Sequence, residues 1–213
     1  MTVIDENLDV ARLTEFLAED YAKLRLYMGL SAFNRMVHLC AAATVSVNAT
    51  ARSLSQHLPR FLNVTRPYSK NPELSELASV ENAFNAALAA PDAPILTLAE
   101  FTRRNPQGFS PEIHPSVQRF QLRTNATSLW AALTAGELPP PPELLEEPQE
   151  LLVWRQGLTP RFRMLGREEA LALDEAARGK PTSTDQLPEH FLRGWLEAEV
   201  ISAAREIDDV KLS

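Results

Sequence analysis

Cysteine is almost missing. Cys40 is the single one in 213 residues, so no internal disulfide can form and no CxxC metal site exists. It sits in the apolar run His38-Leu39-Cys40-Ala41-Ala42 and reads as a buried structural thiol. Glycine is scarce as well, with seven against sixteen prolines. Neither GxGxxG nor GxxxxGK followed by Ser or Thr occurs, so the glycine-rich phosphate loops of the common nucleotide folds have no support. Positive charge is short in both halves: 8 basic against 10 acidic residues over 1–98, and 13 against 18 over 99–213, for a net charge of −7. A domain-scale electrostatic footprint for nucleic acid is therefore missing. No segment reaches the ~18 uninterrupted apolar residues of a membrane span. The start, Met1 to Asn7, lacks the basic and apolar regions of a secretory signal. A cytoplasmic protein is expected.

Catalytic signatures are equally thin. His38, His57, His114 and His190 have no HxxxH or HxH partners, and no serine sits in GxSxG. A self-contained metal site and a stand-alone nucleophile–base set are not expected. His114, between Ile113 and Pro115, reads as a loop-packing residue.

What the chain does have is pattern. Hydrophobic residues make up 45% and charged residues 23%, as in ordinary globular proteins. Leu8, Leu13, Phe16, Leu17, Tyr21, Leu24 and Met28 recur at helical steps, predicting a helix over 8–28 stopped by Gly29. A second helix is expected over 31–57, capped by Ser31, with a possible break in the small and β-branched run 41–47. Leu58-Pro59 opens a short helix or turn through Leu62. Asn71-Pro72-Glu73 is a helix start, and that helix runs to about Ala90. Glu81 lies inside its apolar stripe and reads as a carboxylate that caps or pairs at a helix junction. Residues 91–94 form a linker, and Thr97 caps a short helix through Arg103.

Beyond it, Pro111 and Pro115 frame a loop, and Val117 to Leu122 alternates as a strand. A helix over 127–133 ends at Gly136, and Pro139 to Pro142 form an exposed spacer. Glu146, Glu147 and Glu150 read as its solvated continuation. Leu151 to Arg155 and Leu158 to Leu165 read as a hairpin about Gln156-Gly157, with Leu158, Phe162 and Met164 on one face. Pro160 cannot donate to a ladder, which places the second strand at an edge or bulge. A helix follows from Gly166 through Ala177, closed by Gly179. The last helix runs from Pro188 to about Asp208. The fold class is α+β: a helical N-terminal half, and a C-terminal half with a small antiparallel sheet flanked by helices. Two domains are expected, 1–98 and 99–213.

Arg155, Arg161, Arg163 and Arg167 crowd the hairpin of an otherwise acidic chain. Guanidinium forks beside an edge strand suit an acidic, extended peptide, with ladder bonds supplying affinity. The competing reading pairs these arginines with Glu168 or Glu169.

An ordered set of short motifs resembles a known family. Pro59-Arg60-Phe61-Leu62 and Glu76-Leu77-Ala78-Ser79-Val80-Glu81 lie in the first half. His114-Pro115-Ser116-Val117, Leu129-Trp130 and the proline spacer follow. Leu152-Val153-Trp154-Arg155, Phe162-Arg163-Met164-Leu165 and Glu168-Glu169-Ala170 complete the order. The set, over about residues 15–180, is similar to HvfC-like and MbnC-like proteins, a family long labelled as a DNA-binding domain. Longer members carry an extra N-terminal segment that this chain is expected to lack. It is thus more similar to the short members of peptide natural-product pathways, of methanobactin or thiaglutamate type.

The resemblance implies a non-catalytic partner subunit of a multinuclear non-haem iron oxidative enzyme. That enzyme would hold the iron and oxidise a cysteine of a ribosomally made precursor peptide. This chain would carry no cofactor, bind the enzyme as a heterodimer through its helical half, and hold the peptide leader on the hairpin. The candidate peptide-binding residues are Leu152, Trp154, Arg155, Arg161, Phe162, Arg163 and Leu165. The alternative is a DNA-associated regulatory protein, for which Arg35, Arg52 and Arg60 are too scattered.

Overall fold

The computed structural model describes residues 6–43, 50–103, 112–177 and 188–202. The N-terminal half is helical: α1 (Glu6–Asp20), α2 (Ala22–Met28), α3 (Leu30–Ala43), α4 (Ala51–Val64), a 3-10 turn (Tyr68–Lys70) and α5 (Pro72–Ala89). The remainder is mixed: α6 (Leu98–Arg103), β1 (Glu112–Ile113), β2 (Gln118–Thr124), α7 (Ala126–Ala135), β3 (Leu144–Gln156), β4 (Thr159–Leu165), α8 (Arg167–Ala177), α9 (Glu189–Glu197) and β5 (Ile201–Ser202). β1 and β5 form an antiparallel pair, and a three-stranded sheet has the order β2-β3-β4. The fold is α+β with its sheet in the C-terminal half. Among the described residues, no helix is long and apolar enough to cross a membrane.

Two compact units divide the chain, each built from two stretches. One comprises Met1–Asn85 and Leu122–Pro148, the other Ala86–Gln121 and Gln149–Ser213. β2 and β3 each continue from one unit into the other.

In the first unit, Leu17, Tyr21, Leu24, Phe33, Met36, Leu58, Leu62 and Leu77 are fully buried in one core. Cys40 is buried there too. The helix expected over 8–28 is two helices, because Tyr21 leaves helical geometry at φ −124°, ψ 49°. The break is held from two sides. Glu81, on α5, accepts the backbone N–H of Lys23 at 2.7 Å and of Leu24 at 2.9 Å. The Tyr21 hydroxyl donates to the Ser55 carbonyl. That carbonyl needs a donor because Pro59, four residues on, has no N–H to give it. Ser55 Oγ also donates to Asp20 Oδ2 at 2.5 Å, and Asn85 Nδ2 to the Asp20 carbonyl at 3.0 Å.

Further differences have local causes. The helix expected over 31–57 is two, and Ser31 sits inside α3 while the Gly29 carbonyl accepts from Phe33 N–H. The piece expected from Leu58 to Leu62 belongs to α4, which runs through Pro59. α4 starts at a capping box between Thr50 and Ser53 that the apolar spacing does not reveal. α9 stops at Glu197, and Val200 and Ile201 reach the core through a turn with Glu199 at φ 60°. Most of the run 41–47, Pro111, Gly179 and the stretch 203–208 lie outside the described residues. By contrast, α5 and α6 follow the sequence closely. Thr97 and Glu100 form a capping box: Glu100 N–H donates to Thr97 Oγ1 at 3.2 Å, and Thr97 N–H to Glu100 Oε2 at 3.0 Å.

Two outcomes test this frame. Tyr21→Phe strands the Ser55 carbonyl and is expected to cost about 1–3 kcal/mol in urea unfolding. Adding Pro59→Ala returns an N–H to that carbonyl and restores about 1 kcal/mol; a double variant no more stable than Tyr21→Phe refutes the pairing.

Burial raises the Glu81 carboxyl to about 7, against the backbone bonds from Lys23 and Leu24 and the Lys23 charge, which pull it down. The folded chain therefore keeps this proton where the unfolded chain, near 4.5, has released it. Stability falls as pH rises between those values and levels off above, by on the order of 3 kcal/mol. Melting curves across this range are expected to lose that slope in Glu81→Gln.

Candidate functional site

The hairpin is built around a strand covered on both faces. Leu151 through Arg155 are all buried, as befits β3 in the middle of a sheet. Leu152, Trp154 and Leu165 join the core formed with Ala170 and Leu173 of α8 and Leu192, Trp195 and Leu196 of α9. β3 also starts earlier than its apolar run, at Leu144. The glutamates read as solvated spacer are strand residues, and Glu150 is anchored: Arg119 Nε reaches its Oε1 at 2.8 Å. Arg119 also holds Asp174 Oδ1 at 2.7 Å and the Ala170 carbonyl at 3.2 Å. Its only signal in the sequence is a charged position in an alternating strand.

Gly157, at φ 57°, opens a two-residue loop with Leu158. Leu158 stands 84% exposed at the tip and packs on neither face of the sheet. The tip is tied to the end of α9. Trp154 Nε1 donates to the Ala198 carbonyl at 2.7 Å, Gln156 Nε2 to the Glu197 carbonyl at 3.1 Å, and Gly157 N–H to Glu199 Oε2 at 2.9 Å.

β4 pairs antiparallel with β3 from Thr159 opposite Gln156 to Leu165 opposite Glu150. It ends the strand order, and among the described residues no strand runs along its outer side. The closing pair of a two-residue hairpin exchanges both bonds, so the next pair, Arg155 with Pro160, is non-hydrogen-bonded. The missing proline N–H therefore costs the ladder nothing. Met164 has the same parity, so its backbone N–H and C=O face away from β3.

The four arginines divide into two kinds. Arg155 is buried; its guanidinium pairs with Asp92 and its N–H donates to Ser116 Oγ at 3.2 Å. Arg163 meets Glu169 in a two-pronged pair, one arm at 2.6 Å. Glu169 also accepts Trp195 Nε1 at 2.7 Å. Burial alone would raise the Glu169 carboxyl, but the Arg163 and Trp195 bonds hold it below its ordinary value. Arg161 and Arg167 are exposed, and neither side chain makes an ion pair or hydrogen bond with another described residue. Of the seven candidate peptide-binding residues, Leu152, Trp154 and Leu165 are thus core, and Arg155 and Arg163 are committed to carboxylates. Arg161 is at the surface and Phe162 is half-buried beside it.

His114 is buried in the turn after β1. Its Nδ1 lies 2.8 Å from Ser116 Oγ and accepts Ser116 N–H at 3.1 Å. Burial lowers its basicity, and the Arg155 charge adds to this. Ser116 has no exposure at all, so this pair packs a turn and offers no reachable nucleophile. Among the described residues, no group of three or more His, Cys, Asp or Glu is placed to hold a metal ion.

Glu169→Gln leaves the half-exposed Arg163 guanidinium without its charge partner and is expected to cost about 1–2 kcal/mol, the exposure of the arginine screening part of the pair. The stability from this lowered carboxyl is present above about 4.5 and is lost as pH falls through its folded value. Acid unfolding followed by tryptophan fluorescence is expected to lose that limb in the variant; an unchanged profile refutes the assignment. Compared with known proteins, the chain matches no family model and no curated protein.

Proposed function

We propose that this protein is a non-catalytic adaptor that holds an extended, acidic peptide along the outer side of β4. The observation that carries the reading is an edge strand flanked by two exposed arginines, Arg161 and Arg167, whose side chains have no partner among the described residues. A peptide strand added there gains ladder bonds from the backbone and charge-assisted bonds from the guanidiniums. The core beneath is closely packed, with Leu152, Trp154 and Leu165 buried against α8 and α9. Specificity then comes from side chains at the rim, chiefly Arg161.

The ordered motifs from Pro59 to Ala170 extend the proposal to the partner. We infer that the peptide is the leader of a ribosomally made precursor, of methanobactin or thiaglutamate type. The second partner is a multinuclear non-haem iron enzyme that oxidises the precursor's cysteine in a heterodimer with this chain. The helical half is the proposed surface for that enzyme, and the setting is the cytoplasm.

Fluorescence anisotropy with a labelled acidic leader peptide tests the docking step. Arg161→Glu is expected to weaken binding about tenfold or more, as loss and reversal of one charge-assisted contact requires. Met164→Pro, which removes an outward N–H without touching the β3 ladder, is expected to weaken it similarly. Unchanged affinity in both folded variants overturns the platform. Failure to co-elute with the iron enzyme overturns the heterodimer.

A further inference from the structure

A pocket of about 380 Å³ lies among the first unit's helices. Tyr27 and Met28 close one side at the end of α2, and Ala32 and Arg35 on α3 another. Pro67, Tyr68, Asn71, Glu73 and Leu74 supply the remainder. The volume is in the range that holds a small organic molecule.

Its chemistry is set by Glu73. This residue is only 8% exposed, yet its carboxylate makes no hydrogen bond or ion pair with any described residue. Its oxygens stay open to solvent where the residue lines the pocket, and a cationic or donor partner can reach them there. Arg35 does not supply one: it is exposed, and its Nη1 donates to Ser31 Oγ on its own helix at 3.0 Å. Two aromatic rings stand around the acid. Tyr27 is close enough for the Glu73 charge to help raise its hydroxyl's pKa, after burial. Tyr68 is buried and backed by Phe61, with ring centroids 6.0 Å apart. Aromatic rings beside an unpaired carboxylate in one pocket make a cation site, and the lining residues Met28, Ala32, Pro67 and Leu74 accept an apolar stem. One carboxylate with neutral oxygens is too few hard ligands for a divalent metal.

We propose that this pocket binds a small free molecule carrying a protonated primary amine on an apolar stem, with the ammonium group on Glu73. The site is independent of the peptide reading and stands or falls without it.

Phenethylamine is the probe, and 3-phenylpropionate, similar in shape but opposite in charge, is the control. Titration of the full chain, followed by tyrosine NMR shifts, is expected to show saturable binding of the amine and none of the anion. Glu73→Gln is expected to weaken the amine about tenfold or more, since it removes the charge and keeps the shape. Ala32→Met fills the pocket, leaves Glu73 in place, and is expected to abolish binding. Equal binding of amine and anion, no binding of the amine, or undiminished binding in either variant overturns the proposal. Tighter binding of N-acetyl-lysine methylamide than of phenethylamine overturns it in favour of a lysine side chain.

Discussion

Buried backbone groups must find partners wherever regular structure is interrupted, and the break at Tyr21 is where this constraint organises the helical unit. A helix that stops and restarts releases N–H groups into a closed core. Glu81 takes two of them from a different helix. The proline that removes one donor from α4 creates the complementary demand, and the Tyr21 hydroxyl meets it. α1, α2, α4 and α5 are thereby joined through a few residues, with Asp20 and Asn85 completing the set. α5 repeats the device five residues earlier. Glu76 accepts the N–H groups of Arg123 and Thr124 at 2.8 and 2.9 Å where β2 ends. An apolar side chain at position 81 would fill space and leave the buried Leu24 N–H orphaned, a larger loss than the bond itself contributes.

The second unit applies the same logic to charge. Arg163 and Glu169 are stable together because each neutralises the other and the Trp195 indole fills a remaining acceptor site. Arg155 is held by Asp92 and the turn at Ser116. Counting arginines along the hairpin therefore overstates the charge it presents. Two of the four are committed to carboxylates, and the unpaired guanidiniums that reach solvent are Arg161 and Arg167. This narrows the chemistry of any partner from a broad anionic stripe to one or two defined carboxylates beside a strand.

Elements whose start carries a side-chain signature were legible in the sequence. Asn71-Pro72-Glu73 for α5 and Thr97 for α6 announce themselves within one turn of chain. Interruptions were not legible, because their causes are distant in sequence. Nothing near Tyr21 reveals that Ser55 lacks a donor, and nothing near Val200 separates a helical repeat from a turn that delivers it to the same core. The edge placement of β4 was legible from Pro160. The division of labour among the arginines was not, since Asp92 lies 63 residues from Arg155. The Glu73 pocket left no trace either, as its lining comes from α2, α3 and the segment leading into α5.

A free strand edge is a hazard, and β4 carries the usual protections: it is seven residues long, opens with a proline at its second position and bears arginine at its third. Those protections also constrain what could dock there. Pro160 offers an outward carbonyl and no N–H, so a partner strand has little to hold near the hairpin tip. The outward donor used for docking lies beyond Arg161, at Met164, toward Leu165 and the start of α8. A docked segment would thus be short, paired over the far half of β4, and bracketed by Arg161 at one end and Arg167 at the other. Such a contact is too small to be tight alone. It suits a tether that raises the local concentration of a substrate for a second protein, which is the role an adaptor needs.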